Sequence, residues 1–432
     1  MLPVNSRVRP GHPATALLSL LAATFACSGG ENTPAAEGAS GATVFVGARL
    51  ITGTGAPPVE DAVFVVEDGR FTAVGPSGAV DIPEGAIRVD LAGKTVVPAF
   101  VNAHMHLPSG RDELVLALRH NAYYGASAVV SLGSDAGDVP FQVRDEVIPG
   151  AARFLSAGRG ITRPEPGRSD VPFWIETAEE GRAAIRELAA REVDIVKIWV
   201  DDRGGQYEKL TPEMYAAIID EAHGSGLTVT AHIFNLEDAK GLLRAGIDAF
   251  AHGVRDRDVD EEFLALAGSG VVYVPNLPDP GVARDLGWLA GTVPPAALAE
   301  MQAAATDRPE AADAYGIQAR NLARVAGEEG VTVAFGTDGG APWALHLEME
   351  DMVRAGLSPE EVIVAATRTS AEFLGLTELG TVEAGKSADF VVLDANPLDD
   401  ITNTRRISGV YLRGAMVDRE GLSRELLGAG PA

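Results

Sequence analysis

The chain has 432 residues, 46% of them hydrophobic, which is enough for one large core with a smaller satellite domain and argues against disorder. Its 35 Lys and Arg against 61 Asp and Glu leave a formal charge of -26, which excludes nucleic acid and anionic membrane surfaces as expected partners. A single cysteine excludes an internal disulfide framework.

Residues 1–27 are predicted to be an export signal. Two arginines precede an apolar run of 11 residues that ends at Phe25 and is too short to span a bilayer, and small residues then lead to Cys27. The segment resembles a bacterial lipoprotein signal, which implies a lipid anchor at Cys27, as the one membrane contact, and a periplasmic or outer-membrane-anchored location. Secretion after cleavage near Ala26 and a cytoplasmic leader are the alternatives. Residues 28–42 are predicted to be a linker.

Residues 43–97 and 380–418 are predicted to form one small β-domain. Both stretches alternate β-branched and polar residues, and Asp68-Gly69 is typical of a hairpin turn between two strands. Because the two ends of a closed barrel can lie close together, we expect these pieces to pair, and we expect a β-sandwich.

Residues 98–379 have the length and alternation of a (β/α)8 TIM barrel, so the fold class is α/β. Helix starts are indicated by Thr211-Pro212 and by Ser358, which can form a capping box with Glu361. Eight segments are predicted to be the strands: VVPAFVNAHMH, AVVSLGS, RFLSAGRGI, VDIVKIWV, TVTAHIF, AFAHGV, VVYVPNL and TVAFGTD.

Metal-binding residue types stand at the ends of several of these strands. His104 and His106 follow each other at a period of two, so both imidazoles point to one side of a strand. His232, His252 and Asp338 each end a later strand. Since the carboxyl ends of barrel strands meet on one face, we expect these side chains to form a hydrolytic metal site.

Lys197 lies inside the otherwise apolar strand DIVKIWV. A lone ammonium there is costly to desolvate, so the amine should lose its proton or find a partner. One interpretation pairs it with Asp201 at the strand end. In the other, the uncharged amine reacts with carbon dioxide and becomes an anionic carbamate that bridges two metals.

The order His-x-His, lysine, histidine, histidine, aspartate resembles the amidohydrolase superfamily, in its binuclear branch with a carboxylated lysine. The flanking segments DLAGKTVVPAFVNAHMH and GTVEAGKSADFVVLDANP are similar to the framing motifs of that superfamily, and the chain is most similar to its prolidase-like and imidazolonepropionase-related groups. The resemblance implies two divalent metal ions, and zinc is the default for these ligand types. It assigns the two ions six ligands: His104, His106 and Asp338 for one, His232 and His252 for the other, and carboxylated Lys197 as the bridge.

The function expected from this resemblance is hydrolysis of an amide or peptide-like C–N bond, or of an ester or lactone, in a small molecule. A metal-bridging hydroxide would attack, with Asp338 as proton shuttle. Two alternatives stay open: a mononuclear deaminase or cyclic-amide hydrolase of the imidazolone type, and a non-catalytic exported binding protein. The oligomeric state is also left open.

Arg203 and His346 are candidate substrate contacts. The peptide-cleaving relatives often have a tyrosine two residues after the fifth-strand histidine, whereas this chain has Phe234 there, so Arg203 could take over the binding of a carboxylate. A salt bridge to Asp201 or Asp202 explains Arg203 equally well. His346 could touch substrate or could be a packing residue, and Asn276 either faces the mouth or forms a turn.

Overall fold

The structure is a computed structural model that describes residues 41–428. The predicted signal at 1–27, the proposed anchor at Cys27 and nearly all of the linker at 28–42 therefore lie outside the described residues, and these assignments stay predictions. Between residues 41 and 428, no helix combines the length and the apolar character that crossing a bilayer takes.

The described chain begins with five strands of one sheet: β1 (Thr43–Leu50), β2 (Val59–Glu67), β3 (Arg70–Pro76), β4 (Ile87–Asp90) and β5 (Thr95–Pro98). The predicted hairpin turn joins β2 to β3, with φ of 47° at Asp68 and 75° at Gly69. Two successive positive φ angles are typical of the turn that matches the twist of a hairpin, which explains the Asp-Gly pair.

A three-stranded parallel sheet follows, in which helices alternate with strands: β6 (Phe100–Met105), α1 (Arg111–Tyr123), β7 (Ala126–Ser131), α2 (Val139–Arg144) and β8 (Arg153–Ser156). The strands of this sheet are fully or largely buried, because helices and a second sheet cover both of its faces.

The next segment forms a seven-stranded sheet in the order β10-β9-β11-β12-β13-β14-β15, with parallel pairing throughout. Its elements are β9 (Ile161–Thr162), β10 (Phe173–Trp174), α3 (Ala178–Ala190), β11 (Val196–Val200), α4 (Pro212–Gly224), β12 (Val229–Ile233), α5 (Leu236–Arg244), β13 (Ala249–Phe250), α6 (Glu261–Ala267), β14 (Val272–Tyr273), α7 (Pro295–Ala304), α8 (Ala312–Ala326) and β15 (Thr332–Val333). Short 3-10 turns lie at Gly287–Gly291 and Pro309–Ala311.

Backbone contacts connect the two parallel sheets at more than one place. The Ala103 N–H donates to the Phe335 carbonyl at 2.8 Å, and the Gly160 N–H donates to the Gly133 carbonyl at 2.9 Å. A β-bridge also pairs Met105 with Gly339. Each of the eight predicted strand segments overlaps an observed strand.

After β15 the chain forms α9 (Ala344–Arg354), α10 (Pro359–Val364) and α11 (Ser370–Phe373), and a π-helical turn joins the last two at Ala365–Thr369. The predicted capping box is present at the start of α10: Ser358 Oγ accepts the Glu361 N–H at 3.3 Å, and Glu361 Oε2 accepts the Ser358 N–H at 2.7 Å. Thr211 likewise caps α4. These caps satisfy N–H groups that the first helical turn leaves without partners.

The last elements return to the first sheet: β16 (Phe390–Leu393), a 3-10 turn at Ile401–Arg405, β17 (Ile407–Leu412), β18 (Ala415–Met416) and α12 (Arg419–Leu426). Strand β16 pairs with β5, so both chain ends share one sheet in the order β18-β17-β16-β5-β1-β2-β3, with β4 beside β1. This single eight-stranded sheet stands where we expected the two separate sheets of a sandwich.

The sheet can form a core alone because it curls. Phe45 in β1 stacks on Phe64 at 4.9 Å between ring centroids and contacts Phe390 and Tyr411 at 5.1 and 5.2 Å. Aromatic side chains from β1, β2, β16 and β17 therefore pack in one interior. One twisted sheet buries these side chains, whereas a sandwich buries them between two sheets.

Strand β11 shows how the fold positions polar groups. Val196, Ile198 and Val200 are fully buried and belong to the core beneath the helices. Because side chains alternate along a strand, Lys197 and Trp199 point to the opposite side, where Lys197 lies next to His104 of β6.

Replacing Gly69 by alanine should destabilise the β-domain more than the same change at Gly78. Both glycines have positive φ, 75° and 82°, where alanine costs about 1 to 2 kcal/mol. A Cβ at Gly69 would also lie 2.8 Å from the Arg413 carbonyl oxygen, whereas nothing lies within 4 Å at Gly78. We expect losses of about 1 kcal/mol for Gly78→Ala and about 2 to 4 kcal/mol for Gly69→Ala in urea unfolding. Equal losses would contradict the close approach of the two chain ends.

Candidate metal centre

The six side chains predicted as ligands lie together on the interior side of the parallel strands. They lie on five strands or just beyond the carboxyl ends of these strands. The residues are His104 in β6 and His106 just after it, Lys197 in β11, His232 in β12, His252 just after β13, and Asp338 in the segment after β15. Parallel strands bring residues so far apart in sequence to one place because their carboxyl ends share one face.

Asp338 is the centre of the cluster. Its Oδ1 lies 3.1 Å from His104 Nε2 and 3.1 Å from His106 Nε2, and its Oδ2 lies 3.4 Å from His252 Nε2. The ligand atoms of His104, His252 and Asp338 all lie within 4.8 Å of one another. Burial raises the pKa of Asp338, but its contacts with the neighbouring imidazoles, His104 first, outweigh burial and hold this pKa well below its usual range.

The backbone holds Asp338 in an unusual conformation. Its φ is 54°, a left-handed region that aspartate tolerates better than most residues. The N–H groups of Thr337 and Asp338 both donate to the His104 carbonyl, at 3.0 and 2.9 Å. Asn102 also donates a side-chain hydrogen bond to Thr337 Oγ1 at 3.0 Å. The aspartate and the first histidine are therefore fixed relative to each other by main-chain contacts.

Asn276 orients His104. The Asn276 Oδ1 atom lies 2.8 Å from His104 Nδ1 and can only accept a hydrogen bond, so His104 carries its proton on Nδ1 and presents the Nε2 lone pair to the cluster. Burial lowers the pKa of His104 to about 4, and the nearby Lys197 contributes in the same direction. A neutral imidazole whose second nitrogen is held by an amide is the form that binds a metal ion.

Lys197 is fully buried, and its Nζ lies 3.3 Å from His104 Nε2. Burial lowers its pKa to about 7, opposed by Asp338 and assisted by two arginines. Asp201, the partner that the ion-pair interpretation gives to this lysine, pairs instead with Arg203 and His232. The amine therefore faces imidazoles in a site with little solvent.

His232 has polar partners of its own. Its Nε2 lies 2.9 Å from Asp201 Oδ2 and 3.0 Å from Arg203 Nη1. Burial lowers the pKa of His232 to about 3, although the Asp201 hydrogen bond raises it. Asp201 itself is desolvated, but its hydrogen bonds with His232 and the Arg203 backbone keep its pKa below the usual range.

His252 has an unused nitrogen. Its Nδ1 is buried and lacks a hydrogen-bond partner within residues 41–428. Its ring lies 4.5 Å from that of His232 and 4.9 Å from that of His104, and burial holds its pKa well below the usual range. Neutral imidazoles around one carboxylate, with one buried nitrogen unsatisfied, form a donor set that fits a divalent cation.

The two residues predicted to touch substrate have different surroundings. Arg203 has a φ of 54° and donates to Glu165 at 3.0 Å and to Asp201 at 2.8 Å. The contact with Asp201 is the salt bridge that was one of the two interpretations of this residue. Arg203 also contacts the candidate cluster at His232. His346 is 1% exposed. It contacts Thr404 and packs against the rings of Phe100, Tyr124 and Trp288. Packing therefore accounts for His346, and its position gives no support to substrate contact.

Two charged residues near the cluster were missed from the sequence. Glu165 is 6% exposed and bonds both Arg203 and Arg168. Arg255 lies close enough to Lys197 and His232 to lower the pKa of both. Arg255 follows His252 in the same loop, a signal that could have been used. Glu165 lies in the segment RPEPGR, which has no pattern that predicts a site.

Comparisons with known proteins identify the family of the chain. The model of the Amidohydrolase family matches residues 95–417. An imidazolonepropionase of Deinococcus radiodurans is 28% identical, covering 83% of this chain and 92% of that protein, and an ochratoxinase of Aspergillus niger is 26% identical, covering 83% and 82%. The crystal structure of a Xaa-Pro dipeptidase superposes with a TM-score of 0.70 at 23% identity, covering 87% of this chain and 99% of that one.

The structural likeness indicates a TIM-barrel-type fold. The non-catalytic alternative is set aside, because the matching family is one of amidohydrolases and several relatives are named as enzymes. Since the family match spans well over half of the chain, the protein belongs to the amidohydrolase family and is a hydrolase acting on carbon–nitrogen bonds.

Proposed function

We propose that the chain is a binuclear metal-dependent hydrolase that cleaves an amide or peptide-like bond, or an ester or lactone, of a small molecule. The observation that carries this proposal is the convergence of His104, His252 and Asp338 within 4.8 Å, with Lys197 buried beside them. The names of the relatives, among them imidazolonepropionase and ochratoxinase, support hydrolysis as the class of reaction.

The family pattern divides six side chains between two cations: His104, His106 and Asp338 for the first, His232 and His252 for the second, with Lys197 as the bridge. Zinc is the default cation for imidazole and carboxylate ligands. When bound, the cations would supply an activated water nucleophile and polarise the scissile carbonyl.

Asp338 is suited to move the proton. Its side chain is 35% exposed, whereas those of His104 and His252 are 0% and 2% exposed, so the carboxylate is the more accessible to a substrate. Asp338 Oδ accepts the proton of the attacking water and then donates it to the leaving nitrogen or oxygen. A single group can serve as base and then as acid because it returns the proton that it took.

Lys197 is proposed to react with carbon dioxide. Its Nζ bonds to the carbon of CO2, one C=O electron pair moves onto oxygen, and Nζ releases a proton, so the product is a carbamate anion. Burial of the amine beside imidazoles, with Asp201 engaged elsewhere, supports this step. The resulting anion would offset the charge of two cations in a site where water cannot.

A mononuclear deaminase or cyclic-amide hydrolase is the second candidate. It is favoured by the contacts of His232 Nε2, which is held by Asp201 and Arg203 rather than being free for a second cation. The imidazolonepropionase relative supports the same alternative. Counting the bound cations separates the two proposals.

Asp338→Asn should lower kcat by about 100-fold or more, because asparagine cannot accept the proton. Asparagine tolerates the positive φ of 54° at this position, so the fold should survive. Asp61→Asn is the matched control, since Asp61 is exposed and has a φ of 48°. Turnover is measured on a panel of N-acyl amino acids, dipeptides, lactones and aryl esters, with unfolding curves for each variant. Near-normal turnover of Asp338→Asn would overturn the shuttle.

Metal analysis of the purified chain should find about two equivalents of a divalent cation after reconstitution with bicarbonate. Removal by a chelator should abolish turnover, and stepwise return of zinc should restore it only as the second equivalent binds. Full turnover with about one equivalent would reject the binuclear proposal in favour of the mononuclear candidate.

Reconstitution with 13C-bicarbonate should give a carbamate signal in 13C NMR of the wild type, and Lys197→Ala should lose it. Lys240→Ala is the control, because the Lys240 side chain is also nearly buried, at 4% exposed, but is paired with Asp260 and Glu262. A paired ammonium does not react with CO2, so this variant should keep the signal. An enriched signal that survives Lys197→Ala would show that the carbamate forms elsewhere.

A further inference from the structure

A cavity of about 390 Å3 lies beside the metal centre. Two residues of its wall adjoin the centre in sequence: Leu277 follows Asn276, which holds His104, and Thr337 precedes Asp338. The rest of the wall comes from the loop after β14, from α7 and from α9. Its volume falls within the range of small-molecule sites.

Apolar side chains form most of the wall. They come from both sides of the cavity: Leu277, Val282, Leu286, Met301 and Leu347. Such a surface gains free energy by excluding water, so it favours an apolar group over a polar one.

One residue of the wall, Arg284, has a buried polar atom without a partner among the described residues. The Arg284 side chain is 10% exposed, and its Nη2 contacts both oxygens of Asp351 at 2.6 and 2.7 Å. Its Nη1 is buried and has no hydrogen-bond partner within the described part of the chain. Leaving a buried donor unsatisfied costs free energy, which an acceptor on a ligand would recover.

The charges around the cavity select an uncharged ligand. Asp351 neutralises Arg284, and at the rim Arg308 pairs with Asp279. Glu348 is fully buried, and its two oxygens accept the Leu277 N–H at 3.0 and 3.2 Å. No cationic group in the wall is left to balance a ligand carboxylate, so an anion would lose its hydration without compensation.

We propose that this cavity binds an uncharged apolar part of the substrate that carries one acceptor oxygen, such as a ketone, amide or ether oxygen, and that Arg284 Nη1 donates to that oxygen. That the ligand is a substrate rests on the proposed function. The substrate class is then the set of molecules whose scissile bond is attached to an aryl or alkyl group bearing a neutral acceptor.

The probe is acetophenone, with ethylbenzene as the analogue that lacks the oxygen, titrated into the metal-loaded protein and followed by ligand-observed NMR. Acetophenone should bind at least about tenfold more tightly, because ethylbenzene leaves the buried donor unpaired. Equal affinity of the two probes would overturn the role of Arg284. Benzoate binding that exceeds acetophenone binding and is lost in a cavity-filling variant would overturn the choice of an uncharged ligand.

Met301→Trp should fill the cavity and weaken acetophenone binding by at least about tenfold. Ala299→Trp is the matched control, since Ala299 is exposed on the same helix and is absent from the wall. Arg284→Lys retains a charge for Asp351 but removes the guanidinium fork, so it should abolish the preference for acetophenone over ethylbenzene. Unchanged acetophenone affinity in Met301→Trp would show that the probe binds elsewhere.

The cavity assignment and the proposed function can be tested independently of each other. Acetophenone should inhibit competitively any substrate found in the hydrolysis screen, and Met301→Trp should relieve this inhibition whereas Ala299→Trp should not. If hydrolysis depends on Asp338 but acetophenone does not compete, the cavity assignment fails and the proposed function stands. If acetophenone binds in the cavity but no substrate is hydrolysed, the proposed function fails instead.

Discussion

The contact of one carboxylate with three imidazoles is the interaction on which the site depends. Asp338 lies within 3.4 Å of His104, His106 and His252, although these residues come from three different strands. Neutral imidazoles alone would leave lone pairs unsatisfied in a dry interior, and an isolated carboxylate there would be costly. The imidazole nitrogens and the carboxylate oxygens all offer electron pairs, which is the donor set that a divalent cation binds.

The main chain supplies the rigidity that this contact needs. The His104 carbonyl accepts the N–H groups of both Thr337 and Asp338, and Ala103 is bonded to Phe335, so the first and last strands of the parallel region are joined at the site itself. On the neighbouring side, Glu348 holds Leu277, and Asn276 holds His104. The proposed substrate cavity and the metal centre therefore share the same supports, which explains how a bound apolar group could be positioned relative to the reacting bond.

Local rules predicted the positions of the strands and of the candidate ligands, but not the partners of these side chains. Alternation along β11 placed Lys197 on the interior side, and the Asp68-Gly69 pair and the Ser358 cap formed as expected because each depends on a few adjacent residues. The burial of His346, the contact of Arg203 with His232 and the single curled sheet depend on residues far apart in the chain. Periodicity contains no information on such contacts, which is why the cavity beside β14 was also missed.

The contact between Arg203 and His232 bears on the proposed second cation. The Arg203 Nη1 atom lies 3.0 Å from His232 Nε2. A cation bound to His232 Nε2 would repel the positively charged guanidinium at that distance. Giving up that contact costs about 1.5 to 3 kcal/mol, as for other hydrogen bonds that involve a charged group. The Arg203 Nε atom also donates to Glu165 at 3.0 Å. This hydrogen bond can remain when Nη1 moves away from His232. In the proposed binuclear centre, a second cation on His232 would have to displace the guanidinium, and Arg203 would then be free to face the substrate.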